Sequence, residues 1–116
     1  MLLYELDEYF QSVLNIDEYK DADSSLNGIQ VSRENKEIRK VAFSVDACMD
    51  SIKRAAEWQA DMLFVHHGLF WGKPEPVAGI MFNRISSLIH NGIALYAAHL
   101  PLDSQAEIGN NAAMAQ

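Results

Sequence analysis

Neutral imidazoles and carboxylates are the usual protein ligands of zinc, iron and manganese. This chain places them in two short strings, His66-His67-Gly68 and His99-Leu100-Pro101-Leu102-Asp103. Adjacent histidines in extended backbone point to opposite sides, so His66 and His67 are expected to serve two neighbouring ions rather than chelate one. Asp103, with two oxygens, is suited to bridge such a pair. Pro101 biases Leu100 away from helical conformation, which puts His99 at a strand end and Asp103 in the loop beyond it. Asp46 is a further acidic candidate at a strand end. It reads first as the N-cap of a helix and second as a residue behind the ligands. His90, beside Asn91-Gly92, reads as a helix C-terminal residue and Cys48 as a small core hydrophobe.

These side chains need a scaffold that brings distant positions together. Apolar residues at Leu2, Leu3, Leu6, Tyr9, Phe10, Val13 and Leu14 recur at helical spacing. Asn15 to about Asn35 reads as a long irregular connection with a turn at Asn27-Gly28 and a short strand at Ile29–Val31; its length suits a segment that covers a site. A regular rhythm follows: strand Val41–Val45, helix from an Asp46 cap through Ala60, strand Met62–Val65, helix Ile80–Ile89 stopped by Asn91-Gly92, strand Ile93–Ala98, and a helix beginning at Asn110–Met114. Strands alternating with helices and no tight hairpins imply an α/β fold: a largely parallel sheet with βαβαβ crossovers, flanking helices and an N-terminal helix. In such sheets ligands gather outside the carboxyl ends of the strands. Asp46, His66, His67, His99 and Asp103 all fall there. Phe70-Trp71 reads as core or as an apolar pocket wall, and Lys73 to Pro76 as an exposed lid or partner-facing loop.

Composition narrows the function classes. The 116 residues are 49% hydrophobic and 22% charged, as expected of one compact domain covering 1–116. Nine basic against 16 acidic residues give a formal charge of −7, which argues against binding nucleic acid through its phosphates. No apolar run approaches the roughly 20 residues that span a bilayer, and the start Met1-Leu2-Leu3-Tyr4-Glu5 lacks a signal-peptide pattern. One cysteine leaves no internal disulfide, and a cytoplasmic location is the expectation. There is no P-loop, dinucleotide fingerprint or serine elbow.

Three strings taken together, Leu26-Asn27-Gly28-Ile29-Gln30-Val31, Val65-His66-His67-Gly68-Leu69-Phe70-Trp71 and Ala98-His99-Leu100-Pro101-Leu102-Asp103 with Gly109-Asn110-Asn111, resemble the dimetal-binding GTP cyclohydrolase 1 type 2-like family, also described as NGG1-interacting-factor-three-like. The resemblance runs over essentially the whole chain. It implies that His66, His67 and Asp103 are metal ligands, that His99 is a catalytic-site residue close to the metals, and that the cofactor is two divalent ions, whether zinc, iron or manganese. It also implies a homo-oligomer, a ring-like hexamer. Family members are about twice as long and supply a further His and Glu, four apart, from near their C-terminus, so 1–116 is expected to be the N-terminal portion of a longer metal-binding protein. The function so implied is metal-dependent hydrolysis of a small nucleotide- or pterin-like substrate. The other reading is a non-catalytic metal-binding or regulatory scaffold for protein partners.

Overall fold

The computed structural model describes residues 1–16, 26–34 and 37–99. Three helices and four strands follow in order: α1 (Leu3–Leu14), β1 (Gly28–Val31), β2 (Val41–Asp46), α2 (Met49–Glu57), β3 (Met62–His67), α3 (Gly79–His90) and β4 (Ala94–Ala97). The strands form one sheet in the order β1-β4-β3-β2. β2, β3 and β4 run parallel and β1 joins β4 antiparallel at the edge, so the α/β reading holds.

The continuous apolar runs of β3 and β4 reflect burial on both faces. Leu63, Val65, Leu95 and Ala97 face one way and pack with Ile52 and Ala55 of α2 and Leu88 of α3. Met62, Phe64, Ala94 and Tyr96 face the other way and pack with Leu3, Phe10 and Leu14 of α1. On that second face the rings of Phe64 and Tyr96 stack at 5.5 Å, with Phe10 5.1 Å from Tyr96. Fully buried Tyr96 still satisfies its hydroxyl, which donates to Asp7 Oδ1 at 2.7 Å. Burial and the Asp7 carboxylate push its phenol far above the ordinary tyrosine range.

Three local expectations are corrected. Asp46 does not cap α2: it is the last residue of β2, Ala47 continues into the core, and Cys48 takes the N-cap position. The helix also stops short of Ala60, at Glu57, because Gln59 turns into positive φ (+61°) and Trp58 lies half exposed beneath the Lys40 ammonium. Cys48 is not core either, since it is only partly covered and Ala47 fills the adjacent buried position. At the end of α3, Asn91-Gly92 does act as the stop: Gly92 has φ +65° and Ile93 N–H bonds back to Leu88 O. The expected helix at Asn110–Met114 lies outside the described residues. No described helix is long and apolar enough to cross a membrane.

Asp61, just before β3, ties down the entry of β2. Its carboxylate accepts the Arg39 and Lys40 N–H groups at 2.8 and 3.0 Å and faces Arg33 at 3.5 Å. Burial pushes this carboxyl up, but those donors and the Arg33 charge more than offset it and hold it below the usual range.

Leu88 and Ile89 are neighbours in α3 with opposite environments, 0% and 61% exposed. Leu88→Ala should cost about 2–5 kcal/mol in urea unfolding, whereas Ile89→Ala should stay within about 0.5 kcal/mol. Asp61→Asn should be less stable than wild type at neutral pH. Because the native carboxyl titrates low, that difference should persist down to about pH 4 and shrink as the pH falls further, through the native carboxyl's own range.

Candidate metal centre

Parallel register sets the site. Asp46 is the β2 partner of His67 in β3, and Val65 is paired with Ala97 in β4, so the three strands end at one level. His66 and His67 occupy the last two positions of β3, and His99 lies two residues beyond β4. Their ring centroids are 4.6 Å (His66–His67), 4.6 Å (His66–His99) and 5.3 Å (His67–His99) apart. One nitrogen from each lies within 4.8 Å of the others.

The expectation that His66 and His67 diverge is therefore corrected. Their positions do belong to opposite faces, since Phe64 and Val65 before them pack into different cores. At the strand terminus the sheet ends, and the two imidazoles meet above it beside His99. An ion can thus be approached by all three.

Asp46 Oδ1 lies 2.8 Å from His67 Nδ1. That contact fixes the imidazole's orientation and leaves Nε2 as the free ligand atom, the usual relation between a carboxylate and a ligating histidine. Trp71 lies edge-on to His99 at 5.2 Å and 6.0 Å from His67, so of the two readings offered for it the pocket wall is the one observed. Phe70 instead packs partly against the core. Residues 73–76 are exposed. Asp103 lies outside the described residues.

Two positioning residues were not singled out by chemistry. Asn27 Oδ1 accepts the backbone N–H of His99 at 2.7 Å, tying the third histidine to the strand-order edge of the sheet. Gln30 clamps the loop after His67: its Oε1 accepts the N–H of Leu69 at 2.7 Å and of Phe70 at 3.3 Å, and its Nε2 donates to the carbonyls of Leu26 at 2.7 Å and Phe70 at 3.2 Å. Gly68 lets the carboxamide approach, for a Cβ there would come within 2.6 Å of Gln30 Cδ. The one available signal was a polar side chain between the apolar Ile29 and Val31 of a short strand, together with the turn residues Asn27-Gly28. Cys48, across from His67, lies 3.2 Å from Ser51 Oγ, and Ser51 holds its thiol below the ordinary cysteine range.

A family model described as Duf34/NIF3 (NGG1p interacting factor 3) matches residues 1–116. A "GTP cyclohydrolase 1 type 2 homolog" of Treponema pallidum is 51% identical over 115 residues, 99% of this chain and 40% of the relative. The homolog of the same name from Archaeoglobus fulgidus is 47% identical over 112 residues, 97% of this chain and 44% of the relative. The crystal structure of a Thermus thermophilus protein superposes with a TM-score of 0.94 at 46% identity, covering 99% of this chain and 47% of that one. The chain thus spans less than half the length of these relatives.

The Gln30 clamp predicts a strong coupling. Gln30→Ala, which strands the Leu69 N–H, should cost about 1–3 kcal/mol, and Gly68→Ala should also destabilise through collision with the carboxamide. In a double-mutant cycle by thermal or urea unfolding, the two together should cost clearly less than their sum, because Gln30→Ala removes the group that the new Cβ strikes.

Proposed function

Since the chain belongs to the Duf34/NIF3 (NGG1p interacting factor 3) family, we propose that it carries part of a dinuclear divalent-metal centre and contributes to metal-dependent hydrolysis of a small nucleotide- or pterin-like substrate. The observation that carries this reading is the convergence of one nitrogen each from His66, His67 and His99 within 4.8 Å. The donor set fits borderline ions such as zinc, iron or manganese. His66 and His67 would act as ligands together with Asp103, and His99 would stand at the reacting side, against Trp71. When bound, such ions supply Lewis acidity and lower the pKa of a water toward neutrality. The chain's own part is to hold imidazoles in fixed orientation: Asp46 does so for His67, Asn27 for the His99 backbone, and the Gln30 clamp for the loop between them. With about four ligands from 1–116 for two ions that each want four to six, the remainder of a longer protein completes the centre. A cytoplasmic, ring-like homo-oligomer acting on a small molecule, not on nucleic acid or membrane, belongs to the same reading.

Exposed apolar side chains favour a second reading, a non-catalytic metal-binding scaffold that presents surfaces to protein partners. Phe43 and Val45 on the edge strand β2 are exposed, as are Ile80 and Phe82 on α3. An activity screen of the metal-loaded full-length protein against nucleotides separates the two, with turnover lost in His67→Ala expected for the enzyme.

Metal analysis tests the centre itself. In the full-length protein, His67→Ala and Asp103→Ala should each lower metal content with the circular dichroism spectrum retained. Asp46→Ala, which removes only the group behind His67, should weaken affinity roughly 10- to 100-fold while stoichiometry at saturation is kept. Unchanged metal content in both ligand variants would remove them as ligands.

A further inference from the structure

Beside the histidines a cleft of about 440 Å³ opens between the end of the sheet and α3, walled by Asp46, Cys48, His67, Gly68, Trp71 and Arg84. Its size is that of a small-molecule pocket. Arg84 stands out among its walls. The residue is only partly exposed, its Nε is buried, and that N–H has no hydrogen-bond partner among the described residues. Buried donors are rarely left so, and each one calls for an acceptor. Asp46, the acid on the cleft wall, does not serve as one: its Oδ1 is taken by His67 at 2.8 Å, and among the described residues no carboxylate pairs with Arg84.

We propose that this cleft binds a phosphomonoester group borne on a flat heterocycle, with the phosphate against Arg84 and the ring along Trp71. A guanidinium presents parallel N–H groups that two oxygens of one phosphate can accept together, and an oxygen on Nε satisfies the orphaned donor. The N-terminus of α2, whose N-cap Cys48 makes no side-chain capping bond, borders the same cleft and adds a favourable backbone dipole. In a chain of formal charge −7, Arg84 sets a cation on the cleft wall opposite in sign to Asp46, whose carboxylate is turned to His67. Trp71 supplies a face or edge for an aromatic ring, and the volume leaves room for one once a phosphate is seated. The inference rests on the proposed centre for the position of the reacting end and names the substrate class that centre would meet.

Calorimetric titration of the full-length, chelator-stripped protein with guanosine 5′-monophosphate and with guanosine tests it without metal, so its failure and that of the metal reading are separate. The wild type should bind the monophosphate at least tenfold more tightly than the nucleoside. Arg84→Gln should abolish that difference while guanosine affinity is kept, and Arg84→Lys should retain part of it. Saturating monophosphate should also slow alkylation of Cys48 by iodoacetamide, followed on its own peptide by mass spectrometry. Equal affinity of the wild type for the two compounds, no binding of either up to millimolar concentration, a preference that survives in Arg84→Gln, or Cys48 alkylation unaffected by the monophosphate would each overturn the proposal. Metal content, measured separately in the histidine variants, decides the other reading whatever this titration gives.

Discussion

β3 is hydrogen-bonded on both sides by strands running in its own direction, and the register of those two ladders decides where every candidate ligand stands. With Asp46 opposite His67 and Ala97 opposite Val65, three chain segments leave the sheet at one height. A slip of one residue in either ladder would turn side chains to the other face and carry the β3 ends away from Asp46 or His99. What prevents the slip is burial. Leu63 and Val65 fit only the α2–α3 face, and Met62 and Phe64 only the α1 face. The two cores therefore act as the ruler for the site.

The sheet leaves its chemistry to the loops, and the loops are held by side-chain amides rather than by ladders. Asn27 and Gln30 replace, for the segments after β4 and β3, the backbone partners that a longer sheet would have provided. Such bonds fix a loop without adding bulk where a ligand must enter. Gly68 serves the same end by leaving out a Cβ at the closest approach. The walls that remain differ in kind: imidazole and carboxylate at the strand ends, indole from Trp71, and a guanidinium from α3.

Much of this was legible in the sequence because it follows from periodicity. The continuous apolar runs ending in His66-His67 and at Ala98 read as buried strands between helices, and the parallel pairing that this rhythm implies placed the histidines on one edge. Asn91-Gly92 announced the end of α3 through its backbone requirements. The less legible parts depend on long-range partners. Asp46 looks like a cap when only its own neighbours are considered, and becomes a partner of His67 only through the β2–β3 register. The convergence of His66 and His67 is hidden from the alternation rule because that rule describes strand interiors and both residues stand at a terminus. Gln30 offered only a polar side chain between Ile29 and Val31, because the Leu69 and Phe70 groups it clamps lie some forty positions away.

That separation has a consequence for how the chain acquires its site. β2, α2, β3, α3 and β4 are joined by short connections and can pair in order along the chain, while β1 must find β4 across the widest loop, Gly28 opposite Ala97. Closing a long loop is a slow entropic step in folding. The amides that hold the histidine loops travel with β1, so the ladders of β2, β3 and β4 set the height of the imidazoles while the docking of β1 completes the bonds around them. Until β1 docks, the loops that carry the imidazoles lack the Asn27 and Gln30 bonds that hold them in the closed fold.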